Sequence, residues 1–232
     1  MKMKRSEKLG MFTGLVVGVL LLLISVFMIF QTTCKVWGAE KPANATQQGI
    51  DVSSHQGKID WEQVKNSALA DYAIIRCGYG VNQTDKDDKY WDYNSSECER
   101  LGIPYGTYLY SGADTTAKAK SEAEHVVRLL QGKNLTYPIY YDMEADMLNQ
   151  LSSTQIGNIA KTFLNTMESY GYKNVAVYSN KYLFETKLTA TVFSDYPKWI
   201  AQHSNKCTYQ GSYHMWQYST QGVIPGISEK VD

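Results

Sequence analysis

The 232-residue chain has no excess of either charge: 23 Lys and Arg stand against 23 Asp and Glu. With no basic surplus to neutralise phosphates, nucleic acid is excluded as a partner. Proline is scarce, at 5 residues, and no internal repeat or low-complexity tract is visible, which argues against a disordered chain. Cysteine is scarce too: Cys34, Cys77, Cys98 and Cys207 are the complete set. That is too few for a dense disulfide framework, so one bridge or buried free thiols are the open alternatives. No CxxC or HxxxH spacing occurs, and His55, His125, His203 and His214 are scattered, which disfavours a standard zinc site. The Asn-x-Ser/Thr patterns at Asn44, Asn82, Asn94 and Asn134 are short enough to arise by chance. What the chain does have is 44% hydrophobic residues, 18 Tyr and 5 Trp. Such a composition describes a folded protein with an aromatic-rich cleft or surface.

The first 38 residues differ from the rest. They carry five basic residues and one acid, so 18 basic and 22 acidic residues remain in a mildly acidic body. Lys2, Lys4, Arg5 and Lys8 precede an apolar run from Met11 to Phe30. Val36 and Gly38 before Ala39 fit a signal-peptide cleavage site, whereas the length of the run fits an uncleaved membrane anchor through residues 11–30. Either use puts the remainder outside the cytoplasm, secreted or anchored at the cell envelope. Residues 39–48 form a polar linker, and residues 49–232 are large enough to bury a core of their own.

From Gly49 onward, short β-rich runs alternate with helical stretches, the pattern of an α/β domain with a largely parallel sheet. Strands are expected at residues 49–53, 71–77, 103–110, 137–143 and 174–179. Ile156, Ile159, Ala160, Phe163, Leu164, Met167 and Tyr170 recur at helical spacing, with Ser153 as the expected N-cap and Gly171 as the stop. A second helix is expected from about Thr115 to Leu130, with His125 on the flank of its apolar stripe. Residues 197–202 and 213–219 follow with only a Gly-containing loop between them, so they are expected to pair antiparallel. Five βα units followed by strands without helices predict an irregularly closed β/α barrel.

In such barrels the carboxyl ends of the strands collect the reactive groups. Asp51 ends the first strand, and Asp142 and Glu144 close the run from Tyr137. Their i, i+2 spacing puts both side chains on one face, with Cα atoms about 6.6 Å apart. Two carboxylates in one cleft suit glycoside hydrolysis, one as proton donor and one as charged stabiliser or nucleophile. A solvated strand end is the competing explanation for such a pair. Tyr79, Tyr110, Tyr178, Trp199 and Trp216 are the candidates for binding sugar rings. Barrel packing is the competing use of the same side chains.

The ordered motifs Gly49-Ile-Asp-Val-Ser-Ser-His-Gln-Gly57 with Ile59-Asp-Trp61, Ala73-Ile-Ile-Arg-Cys-Gly-Tyr-Gly80, Gly102-Ile-Pro-Tyr-Gly-Thr-Tyr-Leu-Tyr110, Tyr141-Asp-Met-Glu144, Val177-Tyr-Ser-Asn180, Trp199-Ile-Ala201 and Trp216-Gln-Tyr-Ser219 resemble the family 25 glycoside hydrolases, the muramidases of bacteria and phages. The resemblance runs from about residue 48 to 232. It implies a flattened, TIM-barrel-like fold of five βα units and about three further strands. It also implies cleavage of the β-1,4 bond between N-acetylmuramic acid and N-acetylglucosamine in bacterial peptidoglycan, by a monomer that needs no metal or organic cofactor. By position, Glu144 is the general acid, Asp142 its partner and Asp51 a third acid. The family's last acid aligns with Asp232, and because the chain stops there, the final strand is expected to be cut short. A catalytically weak glycan-binding module and a hydrolase of chitin-like glycans are the alternatives.

Overall fold

The computed structural model describes residues 44–232. The leader, its apolar run and Cys34 lie outside the described residues. Among the described residues, no helix is long and apolar enough to cross a membrane.

Seven strands form one sheet in chain order, every neighbouring pair parallel. They are β1 (Gly49–Val52), β2 (Tyr72–Tyr79), β3 (Tyr105–Tyr110), β4 (Ile139–Asp142), β5 (Val175–Asn180), β6 (Lys198–Ala201) and β7 (Met215–Gln217). Helices α1 (Trp61–Ser67), α2 (Trp91–Leu101), α3 (Thr116–Leu129) and α4 (Ser153–Ser169) fill the first four crossovers. The short helices α5 (Lys181–Thr186) and α6 (Val192–Asp195) follow β5. A parallel sheet covered in this way is apolar on both faces. Ile50, Ile75, Leu109, Tyr141, Val177 and Ile200 point outward into the main core beneath the helices. Ile74, Tyr140, Ala176, Tyr178, Trp199 and Ala201 point inward into a second cluster.

The local chemistry of α4 explains its bounds. Ser152 accepts from the Gln155 N–H while the Gln155 side chain accepts from the Ser152 N–H, a capping box. The N-cap is therefore one residue earlier than expected, because that position lets both bonds form. Ile156, Ile159, Ala160, Phe163, Leu164 and Met167 are buried, and the Phe163 ring stacks on Tyr141 of β4 at 3.8 Å.

Two other expectations need correction. β6 and β7 run parallel, with Trp199 opposite Met215 and Ala201 opposite Gln217. The loop between them carries the chain back to the start of the sheet without a helix, so the sheet keeps one direction throughout. His125 is not a flanking residue but fully buried. Its Nδ1 lies 3.0 Å from the Gly80 carbonyl oxygen and its Nε2 2.7 Å from an Asp87 carboxylate oxygen, a clasp that Arg128 completes on Asp87. The three cysteines among the described residues are free.

The first and seventh strands come together without pairing as strands. Gln48 Nε2 donates to the Tyr218 hydroxyl at 3.0 Å, and Gln217 Nε2 donates to Asp51 Oδ2 at 2.9 Å. The segment after β7 lies across the remaining gap. Gly222 and Val231 form an isolated antiparallel bridge, and the Asp51 N–H donates to the Asp232 carbonyl oxygen at 3.1 Å. The closure is a curled sheet of seven strands plus this bridge, in keeping with the expected irregular barrel of five βα units and about three further strands. Gly226 anchors the segment: its carbonyl oxygen accepts from the Asp60 N–H at 2.9 Å. Its φ is +93°, and an added Cβ would lie 2.3 Å from the Asp60 carbonyl oxygen. Gly226→Ala is therefore expected to destabilise the chain by about 2 kcal/mol or more. Urea unfolding will measure it, and a midpoint equal to the parent's would show that the segment yields freely.

Candidate active site

Because all seven strands are parallel, their carboxyl ends open on one side, where the inward-facing residues of the last layer gather. Asp51 of β1 faces inward, since Ile50 and Val52 on either side of it are in the outer core. On β4, Tyr140 faces inward and Asp142 follows at i+2, in register with Tyr110 on one side and Tyr178 on the other. Glu144 lies two residues further on, half-buried. Asp51, Asp142, Glu144 and Asp232 are close enough to perturb one another. The four acids read from the sequence thus form one cluster.

Burial dominates their electrostatics. It raises Asp142 well above the ordinary carboxylate range, helped by the charges of Glu144 and Asp51 and opposed by Arg76. Burial also raises Asp51 to about 8, with the Asp232 charge adding to the effect and the Gln217 hydrogen bond opposing it. Glu144 and Asp232 are raised for the same first reason, and nearby His203 moderates both. A cluster of this kind cannot carry four negative charges at neutral pH. Asp142 has one further property: its Oδ1 is buried and accepts no hydrogen bond. A buried carboxylate oxygen without a donor costs desolvation energy that nothing within the chain returns.

Several neighbours were not singled out in the sequence. Arg76 of β2 donates from Nε to Asp88 Oδ2 and from Nη2 to Ser54 Oγ, each at 2.8 Å. This pair of bonds holds a cation beside the inward acids. Behind Asp142, the wholly buried Glu122 accepts from the Tyr141 hydroxyl at 2.6 Å, the Ser111 hydroxyl at 2.9 Å and the Gly112 N–H at 2.8 Å. That network ties the ends of β3 and β4 together. Period-two alternation was the available signal for Arg76 and for Gln217, since each follows an inward-facing residue at i+2.

The aromatic candidates separate by position. Tyr110 and Tyr178 lie beside the acids, whose charges help raise both phenols after burial has done most of the work. Trp199 is buried beneath them, 4.4 Å from the Tyr178 ring and 4.9 Å from that of Tyr140. Tyr79 is exposed, its hydroxyl 3.4 Å from the Asp85 carbonyl oxygen. Trp216 is not brought to the cluster: it points out of the barrel between inward-facing Met215 and Gln217, and its indole N–H donates to the Gln202 carbonyl oxygen.

An unfolded aspartate titrates near 3.8, whereas folded Asp51 titrates at about 8. The folded chain therefore holds an extra proton across that interval. The associated stability is complete below pH 3.8 and is lost as the pH rises through 8. Asp51→Asn is expected to flatten the fall in melting temperature between pH 5 and 9, leaving the variant the more stable form at pH 9. Parallel melting curves for parent and variant across that range would refute the assignment.

Residues 50–227 match the family model described as Glycosyl hydrolases family 25. The autolytic lysozyme of Clostridium acetobutylicum is 30% identical over 186 residues, covering 80% of this chain and 54% of that protein. The modular autolysin LytC from Streptococcus pneumoniae superposes with a TM-score of 0.73 at 34% identity, over 80% of this chain and 45% of that one. It has also been solved in complex with a synthetic peptidoglycan ligand. A family 25 glycosyl hydrolase from Bacillus anthracis, at 20% identity, shares the fold with a TM-score of 0.71 over 85% of this chain and 90% of that one. The chain spans about half the length of the first two relatives. With the matched region covering most of its length, the chain belongs to the glycosyl hydrolases of family 25.

Proposed function

We propose that this chain hydrolyses the β-1,4 bond between N-acetylmuramic acid and N-acetylglucosamine in bacterial peptidoglycan, acting as a monomer outside the cytoplasm. The observation that carries the reading is the buried, unpartnered Oδ1 of Asp142, two residues from a carboxyl group whose pKa burial raises. A sugar bearing a 2-acetamido group supplies what that oxygen lacks, an N–H donor. The lysozyme and autolysin relatives support the same substrate class.

Glu144 donates its proton to the glycosidic oxygen as the bond to C1 breaks. Burial raises its pKa above the ordinary carboxylate range, which favours the protonated form that the leaving group needs. Asp142, charged when substrate is bound, accepts from the acetamido N–H and makes the amide oxygen more nucleophilic. That oxygen attacks C1 and closes a cyclic oxazolinium ion. Glu144, now a carboxylate, then takes a proton from water, which opens the ring and releases the product with retained configuration. Arg76 offsets the negative charge of Asp142. Tyr110, Tyr178 and the exposed Tyr79 offer ring faces to the glycan, while Trp199 supports Tyr178 from below. Residues 11–30 supply either the export signal or the attachment to the membrane.

Digestion of purified peptidoglycan, with mass analysis of the new reducing ends, tests the reaction. Muramic acid at those ends is the expected result, and binding without new reducing ends would overturn the proposal. Glu144→Gln is expected to keep glycan binding and lose at least about 10²-fold in kcat, because an amide has no acidic proton to give. A rate within tenfold of the parent would remove Glu144 from its role. Asp142→Asn is expected to lower kcat by about 10³-fold with the fold retained and a melting temperature no lower than the parent's at neutral pH. Recovery of a glycosyl adduct on Asp142 from the parent chain would replace the assisted route with direct attack.

A further inference from the structure

Gln217 lies at the carboxyl end of β7, buried, with three polar neighbours. Its Oε1 receives the Tyr178 hydroxyl proton at 3.0 Å and faces Nε2 of His203, also at 3.0 Å. With the Gln217 oxygen facing both, the Tyr178 hydroxyl donates to it, and so does His203 in any form that carries a proton on Nε2. The amide group is then left with its Nε2 toward Asp51, and it donates to Oδ2 at 2.9 Å. Turning the amide by 180° would set an oxygen against Asp51 whenever that group is ionised, so the orientation with Nε2 toward Oδ2 is the one that serves the carboxylate. Oδ2 of Asp51 is thereby occupied, and Oδ1 is the oxygen left for the cleft.

Building on the hydrolase reading above, we propose that Gln217 is a positioning residue: with its amide locked by Tyr178 and His203, it sets which oxygen of Asp51 faces the substrate. The three partners come from β5, β1 and the loop after β6, so this one side chain of β7 joins four separate parts of the barrel. His203 is on an exposed loop, which makes it the part of the lock that can be removed without opening the core. The Gln217 bond also holds Asp51 lower than burial alone would, which gives a readout independent of turnover.

The test uses the full chain, with the Asp51 titration followed by carboxyl-carbon NMR and with kcat and KM measured on peptidoglycan. Gln217→Met keeps the length of the side chain and removes every bond. It is expected to move the Asp51 midpoint upward by about one unit, and to lower kcat about 10- to 100-fold with KM within threefold. Gln217→Glu keeps both acceptor contacts but sets a second carboxyl oxygen against Asp51 Oδ2, so it is expected to move the Asp51 midpoint upward further than Gln217→Met does. His203→Leu is expected to shift the midpoint in the same direction by a smaller step, and it carries the test if the Gln217 variants do not fold. An Asp51 midpoint unmoved in the variants that fold would overturn the proposal, as would kcat within threefold of an active parent in either Gln217 variant. A parent that releases no reducing ends would instead overturn the hydrolase reading, and the Asp51 titration would still decide the role of Gln217.

Discussion

Parallel pairing is the constraint on which the rest of this structure depends. Once each strand runs in the same direction as its neighbour, every carboxyl end opens on one side and every second side chain points to the barrel axis. Four acids from β1, the end of β4 and the segment after β7 then have nowhere to point except toward one another. The helices bury the outer face of the sheet and the aromatic layer of Tyr140, Tyr178 and Trp199 fills the inside. Water is thus thin around the acids, and their repulsion is weakly screened. The same geometry that collects the carboxylates also keeps some of them protonated.

The supporting contacts divide into those that hold acids in place and those that moderate their charge. Glu122, Tyr141 and Ser111 form a closed set of bonds behind Asp142, so the end of β4 is fixed by a network in which every member has a partner. Arg76 is clamped by Asp88 and Ser54 and delivers positive charge from a fixed position. Asp142 Oδ1 is the exception in this neighbourhood, an acceptor left without a donor. An unmet acceptor among satisfied neighbours marks where a ligand atom is needed.

Much of this was legible in the sequence because it rests on periodicity. The alternation in β4 and the Asp-x-Glu spacing put Asp142 and Glu144 on one face before any fold was known, and the stripe from Ile156 to Met167 defined α4 within a residue. Direction was not legible in the same way. Residues 197–202 and 213–219 carry a strand pattern that is equally consistent with either orientation, and only the path of the intervening loop makes the pair parallel. Trp216 looked like a sugar platform because it is aromatic and sits in a strand, but one step of alternation turns it outward. The burial of His125 and the contacts of Gln217 were not legible, because their partners, Asp87 and Asp51, lie 38 and 166 residues away.

The way the barrel closes has a consequence for how the chain reaches its native state. The bonds from Gln48 to Tyr218, Asp51 to Gln217 and Gln56 to Lys230 join residues 170, 166 and 174 positions apart. Contacts of such separation carry the largest loop-closure entropy in the molecule and depend on the intervening strands having already paired in order. Until they form, the sheet is an open ribbon whose first and seventh strands present unpaired backbone edges, templates for pairing with another chain. Asp51 joins the other acids only at that last step, so a chain that has folded everything except its seam has the architecture of the protein and none of its assembled chemistry.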